Sequence, residues 1–123
     1  MKDHNITRRT VLGGMSTLAL TTWTGFARAV SSPAIIAYRN PGCGCCEKWA
    51  EQLKAAGFDV SMQDDPDLSA RRAAAGVPDD LAGCHTAMLG DYVIEGHVPL
   101  AEIEKLISEK PAIRGIAVPG MPT

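Results

Sequence analysis

Apolar and polar positions change period several times along this chain, and each change marks an element. Residues 34–38, Ala-Ile-Ile-Ala-Tyr, are a compact apolar run with β-branched members, bounded by Pro33 and by Asn40-Pro41-Gly42. That pattern predicts a buried strand followed by a turn. From Cys45 or Cys46 to Ala56 the period becomes helical. Cys46, Trp49, Ala50, Leu53 and Ala56 share one face, and Glu47, Lys48, Glu51 and Lys54 lie mostly opposite. Gly57 reads as the helix stop. Residues 58–62 alternate with period two and predict a second strand. Asp64-Asp65-Pro66-Asp67 opens a helix over 68–75, which Gly76 ends. A helical turn begins at 78–81 and closes near Gly83. Residues 84–89 and 92–95 read as strands joined by Gly90-Asp91, a hairpin turn signal. A last helix carries Leu100, Ile103, Leu106 and Ile107 at helical spacing. The tail from 111 to 123 is rich in Pro and Gly and has no period.

The predicted order β-α-β-α-β-β-α gives an α/β domain with a central mixed sheet of about four strands and flanking helices. A cysteine cluster after the first strand, at the start of a helix, is the layout of a thioredoxin-like fold. Such folds carry a cis-proline before the third strand, facing the cysteines. Here His85-Thr86, after Cys84, fills that place.

The chain has 123 residues, enough for one domain. Residues 1–29 read as an export signal. Lys2, Arg8 and Arg9 form a basic region, and Thr7-Arg8-Arg9-Thr10-Val11-Leu12 has the twin-arginine form. A moderately apolar run continues to about Phe26, and Ala27-Arg28-Ala29 supplies a small-x-small cleavage pattern. The competing reading is a membrane anchor. Gly, Ser and several Thr interrupt the run, and it falls short of the roughly 18 apolar residues a span needs. Cleavage after Ala29 is expected, with no stable membrane insertion afterwards and the periplasm as destination. The domain then covers 30–123.

Charge changes the picture of partners. The full chain has formal net charge −2. The first 29 residues hold four basic and one acidic residue, so the 94 that follow carry about −5. Nucleic acid needs a basic face and is excluded as a partner. An acidic domain suits a cationic ligand, although ordinary secreted domains are acidic too.

The chemistry is concentrated in Cys43-Gly44-Cys45-Cys46 and in Cys84. In an exported chain, four cysteines would ordinarily suggest two disulfides. Cys43, Cys45 and Cys46 are too close together to close long loops, where a disulfide restricts the unfolded chain most. Cys43 and Cys46 form a Cys-x-x-Cys pair at a helix start, where backbone N–H groups favour thiolate. Thiolate serves both disulfide exchange and soft-metal binding. A third cysteine between the pair invites scrambling in an oxidoreductase, but it adds a ligand for a soft ion such as Cu(I). Sulfurs can bridge ions, so a dense cluster suits one copper or several. Zinc would want four separate ligands, usually as two well-spaced pairs.

His97, in Glu95-Gly96-His97-Val98-Pro99, is a candidate ligand or a loop histidine. His85 should point away from Cys84 by strand alternation, unless the strand starts later. Met121 is a thioether that could cap a copper site or sit free on the tail. Met88 and Trp49 read as core. Asp64, Asp65, Asp67, Asp79 and Asp80 read as helix N-capping residues.

Four motifs in order now carry a resemblance: Cys43-Gly44-Cys45-Cys46 with Lys48-Trp49; Cys84-His85-Thr86-Ala87; Glu95-Gly96-His97-Val98-Pro99; and Ala117-Val118-Pro119-Gly120-Met121-Pro122. Together they resemble the CopG-type family of small periplasmic metal-binding proteins associated with bacterial copper resistance, over about residues 34–122. The resemblance implies a thioredoxin-like fold, a periplasmic location and copper held by Cys43, Cys45, Cys46 and Cys84. His97 and Met121 join that ligand set because they lie in family motifs. Sequestration, transfer to other periplasmic copper-resistance proteins and redox cycling of copper all fit the family. The twin-arginine signal is a departure; that pathway exports folded proteins. The main expectation is a Cu(I)-binding protein serving copper resistance. Its rivals are a thiol–disulfide oxidoreductase using Cys43 and Cys46, and a small domain with structural cysteines.

Overall fold

The computed structural model describes residues 32–120. The expected export signal, its expected cleavage point and Met121 lie outside them. Strand β1 (Ala34–Arg39) leads into helix α1 (Gly44–Ala55), then β2 (Asp59–Asp64) and α2 (Leu68–Ala75). A short 3-10 turn at Asp79–Leu81 precedes β3 (His85–Leu89), β4 (Tyr92–Glu95), α3 (Leu100–Glu109) and β5 (Gly115–Ala117). The strands form one mixed sheet in the order β2-β1-β3-β4-β5. β1 runs parallel to β2 and antiparallel to β3; β4 is antiparallel to β3 and parallel to β5. This is the expected α/β, thioredoxin-like arrangement. It has five strands rather than about four, because the tail contributes β5.

Burial follows the two periodicities. Ile35 and Ala37 of β1, Val60 of β2, Ala87 and Leu89 of β3 and Ile94 of β4 face one side of the sheet. Trp49, Ala50 and Leu53 of α1 and Ile103 and Leu106 of α3 cover that side. Each fully buried side chain of this size stabilises the fold by about 1.5–3 kcal/mol. Helix α1 ends as its sequence requires. Gly57, at φ 97°, donates its N–H to Lys54 O, and Phe58 N–H reaches Leu53 O. This pair of bonds is a Schellman motif, which needs a residue free to adopt positive φ.

The other side of the sheet is covered by α2. Asp67 caps that helix by accepting from Ala70 N at 3.1 Å. Asp65 accepts the Asp67 N–H and pairs with Arg71, and Asp64 pairs with Arg39. Asp79 and Asp80 make no side-chain cap; Pro78 holds the N-cap position of their short turn. Met88 lies half-buried on the α2 side with Thr86, outside the main core. No helix among the described residues is long and apolar enough to cross a membrane.

Candidate metal centre

The turn Asn40-Pro41-Gly42 sends the chain from β1 directly into α1, closed by Cys43 N–H to Asn40 O. Cys43 therefore becomes the N-cap of α1, and Cys45 and Cys46 fall in its first turn. Cys46 is fully buried beneath the turn, while Cys43 and Cys45 stay half-exposed. Arg39, at the end of β1, holds this loop: its guanidinium donates to Cys43 O at 3.0 Å and Glu47 Oε1 at 2.9 Å. Cys43 Sγ lies 2.7 Å from Cys46 Sγ and 3.3 Å from Cys45 Sγ, and Cys46 Sγ lies 3.7 Å from Cys84 Sγ. All four cysteines are free thiols, and their sulfurs all lie within 4.8 Å of one another.

Cys84 arrives from the opposite direction, on a bend just before β3. A buried clamp holds that bend. Glu95, 1 % exposed, accepts from Gly83 N at 2.8 Å, Thr86 Oγ1 at 2.6 Å and Arg72 Nε at 2.5 Å. Arg72 also donates to Gly83 O. The backbone is packed so closely here that a Cβ on Gly83 would lie 2.6 Å from Gly96 Cα. A Cβ on Gly96 would lie 2.2 Å from Val118 O, and Gly96 adopts φ 77° as well. Only glycine fits both conditions.

The strand begins at His85, so the alternation expected from Cys84 does not apply. His85 turns toward the thiols instead: its Nδ1 lies 3.3 Å from Cys84 Sγ. Its ring is fully buried, with centroids 4.2 Å from Trp49 and 5.3 Å from His97. Trp49 Nε1 donates to Val98 O at 2.9 Å, which ties the His97 loop to α1. One ring nitrogen each from His85 and His97 lies within 4.8 Å of Cys46 Sγ and Cys84 Sγ. No cis peptide bond occurs among the described residues, so the place of the family fold's cis-proline is taken by trans backbone bearing a thiol and an imidazole.

The four thiols are electrostatically unequal. Burial alone would raise Cys43. Bonds from Cys46 and Cys45, the Cys46 backbone N–H and the Arg39 charge outweigh it and bring the thiol below its ordinary range. Burial pushes Cys46 strongly up, and the neighbouring Cys43 and Cys84 add to the shift. Cys84 is pushed up to about 12, first by burial, with Cys45 and Cys43 adding and its bond to Cys46 opposing. His85 is pushed down to about 3 by burial and then by the charges of His97 and Arg72, and burial lowers His97 too. Both imidazoles are neutral at pH 7, with a nitrogen lone pair to offer. A Cys43 thiol that ionises more readily than usual, further thiols that ionise on metal binding and neutral imidazoles make a donor set suited to a soft cation.

Of the expected site residues, Cys43, Cys45, Cys46 and Cys84 come together in one cluster, and His97 lies beside Cys46 and Cys84. Met121 follows Gly120, whose N–H bonds Ala82 O. The sequence reading leaves His85 out of the ligand set unless β3 starts after Cys84, and β3 does start at His85. It missed Arg72 and Glu95 altogether, since nothing local marks an ion pair 23 residues apart. The cavity of about 240 Å³ between α2 and β5 contains none of the thiols. The chemistry sits at a side-chain cluster, not in that pocket.

Fold and site define a thioredoxin-like domain with a thiol–imidazole cluster able to hold a metal ion. The chain belongs to the CopG-type family. A solved structure described as "Copper resistance protein copG- Form 2" is 42 % identical, covers 75 % of this chain and 73 % of its own, and superimposes with TM-score 0.70. A second, "Copper resistance protein copG- Form 1", is 43 % identical over 74 % of this chain and 73 % of its own, with TM-score 0.68. The family profile "Protein of unknown function, DUF411" matches residues 81–123. Comparison with curated proteins finds no match.

Proposed function

We propose that this protein binds Cu(I) through the thiolates of Cys43, Cys45, Cys46 and Cys84, with His97 and Met121 as additional ligands, and serves copper resistance in the periplasm. One observation carries the reading: four free sulfurs within 4.8 Å of one another, drawn from two separate segments. Thiolates are the ligands that select Cu(I), and a cluster this dense lets one sulfur serve two ions. Support also comes from the names of the relatives, both copper resistance proteins. Residues 1–29 act as a twin-arginine export signal, and 30–123 form the working domain. Exchange with other periplasmic copper-resistance proteins and cycling between Cu(I) and Cu(II) belong to the same proposal.

The test is anaerobic Cu(I) titration of the reduced, metal-free protein against a high-affinity chelator, with bound copper counted by elemental analysis. Tight binding of one equivalent or more is expected, and Cys45→Ser with Cys84→Ser should abolish it. No binding in competition would sink the reading.

A second reading draws on the asymmetry of the Cys-x-x-Cys pair. Cys43 is half-exposed with a lowered pKa and Cys46 is buried with a raised one, as in an attacking and a resolving thiol. As a thiol–disulfide oxidoreductase, the protein would reduce insulin disulfides at a rate comparable to thioredoxin. Cys45→Ser would leave that rate nearly intact.

A further inference from the structure

The sheet has two outer edges, β2 and β5, and they differ in chemistry. β2 carries Asp59 and Asp64 at its ends, with Ser61 and Gln63 between them. Charged side chains on an edge strand keep other strands from pairing with it. β5 has no such guard, only Gly, Ile and Ala. Toward β4 its segment is paired: Val93 N–H donates to Arg114 O at 3.0 Å, and Val118 N–H to Glu95 O at 2.9 Å. Backbone direction alternates along a strand, so the N–H and C=O groups of Gly115 and Ala117 point away from β4. Among the described residues, no backbone bond reaches them from outside the sheet. Beside this edge lies the cavity of about 240 Å³, walled by Val77, Pro78 and Leu81 and floored by Val93, Gly115 and Ala117. Leu81 in the wall, with Ile113 and Val118 on either side of β5, are 38 %, 48 % and 41 % exposed; Ile36 is the one other large apolar side chain so exposed among the described residues. Such clustering marks an interaction site, whereas scattered exposed residues do not. At the rim, Arg114 donates Nε to Ala75 O at 2.9 Å and forms no ion pair among the described residues. Its remaining guanidinium N–H groups are open to a carboxylate.

We propose that β5 and this groove dock an extended segment of a partner protein. The segment adds to the sheet as a sixth strand and bonds its backbone to Gly115 and Ala117. It turns alternate apolar side chains into the groove and sets a carboxylate on Arg114. Strand addition draws affinity from main-chain bonds and specificity from pockets for alternate side chains. An apolar cavity of roughly 150 Å³ holds a benzene ring. The groove therefore has room for one aromatic side chain or a pair of small aliphatic ones. Pro111 and Pro119 bound the edge, so the added strand is short. A second copy of this chain fits less well. Paired antiparallel on itself in register, β5 would offer the groove only Gly115 and Ala117, and residues 111–119 contain no acid to meet Arg114. Glu95, which lines the groove, also accepts the Gly83 N–H, so the occupant sits one side chain from the bend that carries Cys84. The proposal uses none of the thiols or imidazoles and stands apart from the copper reading.

The experiment pans random octapeptides displayed on phage against the full chain. The most enriched sequence is then synthesised and titrated into isotope-labelled protein, with binding read from amide shifts. Enriched sequences should share apolar residues at alternate positions with Asp or Glu beside them. Shifts should move along 114–118 and 77–81. Ala117→Pro should weaken the peptide by about tenfold or more, because an outward N–H is lost where an edge strand tolerates Pro. Arg114→Gln should weaken it about fivefold, and a peptide whose acid is changed to the amide should not feel that substitution. No enrichment, enrichment without the alternating pattern, or shifts elsewhere on the molecule overturns the proposal. So does unchanged affinity in either well-folded variant. Shifts at 114–118 that appear on concentrating the protein alone also overturn it, since a second copy would then be the occupant.

Discussion

At the scale of single residues, His85 does the most that its position in the sequence does not announce. It is a fully buried, neutral imidazole whose pKa is pushed down to about 3, first by burial and then by His97 and Arg72. Unfolded, the same ring takes a proton near pH 6.5. Between those values the unfolded state binds the extra proton, so acid favours unfolding. The contribution is complete above about pH 6.5 and is lost as pH falls toward 3, reaching a few kcal/mol in all. Urea denaturation of the metal-free protein should show the midpoint dropping across that window. In His85→Gln the drop should be shallower, with His97 and the carboxylates left to drive it. Equal slopes in the two proteins would mean that the histidine is not held neutral.

At the scale of elements, the sheet and α2 are joined through the ion pair of Arg72 and Glu95. The carboxylate of the pair is buried and the guanidinium partly so, and the carboxylate also accepts from Gly83 and Thr86. Removing one partner of such a pair leaves an uncompensated charge, at a cost of about 3–5 kcal/mol. Arg72→Met is therefore expected to lower stability by that order in urea denaturation. It should also loosen the Gly83–Cys84 bend, so that Cys84 is alkylated faster in the metal-free protein. Unchanged alkylation would show that the bend is held by its glycine packing alone. The thiols themselves were easy to read, since three of them are neighbours in sequence and the helix start aims them at one spot. Helix α2 and strand β4 could be placed to the residue because Asp67, Gly76 and the Gly90-Asp91 turn mark their ends. β5 could not. Three residues carry no period, and Gly115–Ala117 becomes a strand only through pairing with Val93–Glu95. The side His85 takes depends on where β3 starts, which the sequence leaves open: alternation predicts direction only inside a strand, and Cys84 stands one residue outside it.

At the scale of the whole molecule, the described residues form one sheet with helices on both faces, and both Cys43–Cys46 and Cys84 meet at the end of the sheet where β1 stops and β3 starts. We propose that the working domain starts after residue 29. Protein recovered from the periplasm should begin at Val30, which N-terminal sequencing would read directly. Export that continues after Arg8→Lys with Arg9→Lys would remove the twin-arginine assignment.

Trp49 is one of two tryptophans in the chain, and the other, Trp23, lies in residues 1–29, the proposed export signal. In a chain cleaved after Ala29, as proposed, the indole packed on His85 would be the sole tryptophan left. Its emission would then report on one place only, the wall of the thiol–imidazole cluster. Copper arriving within a few ångströms should quench that light stepwise, and chelation should restore it. The protein carries its own optical gauge of occupancy, and competition titrations can be followed through it without an added dye.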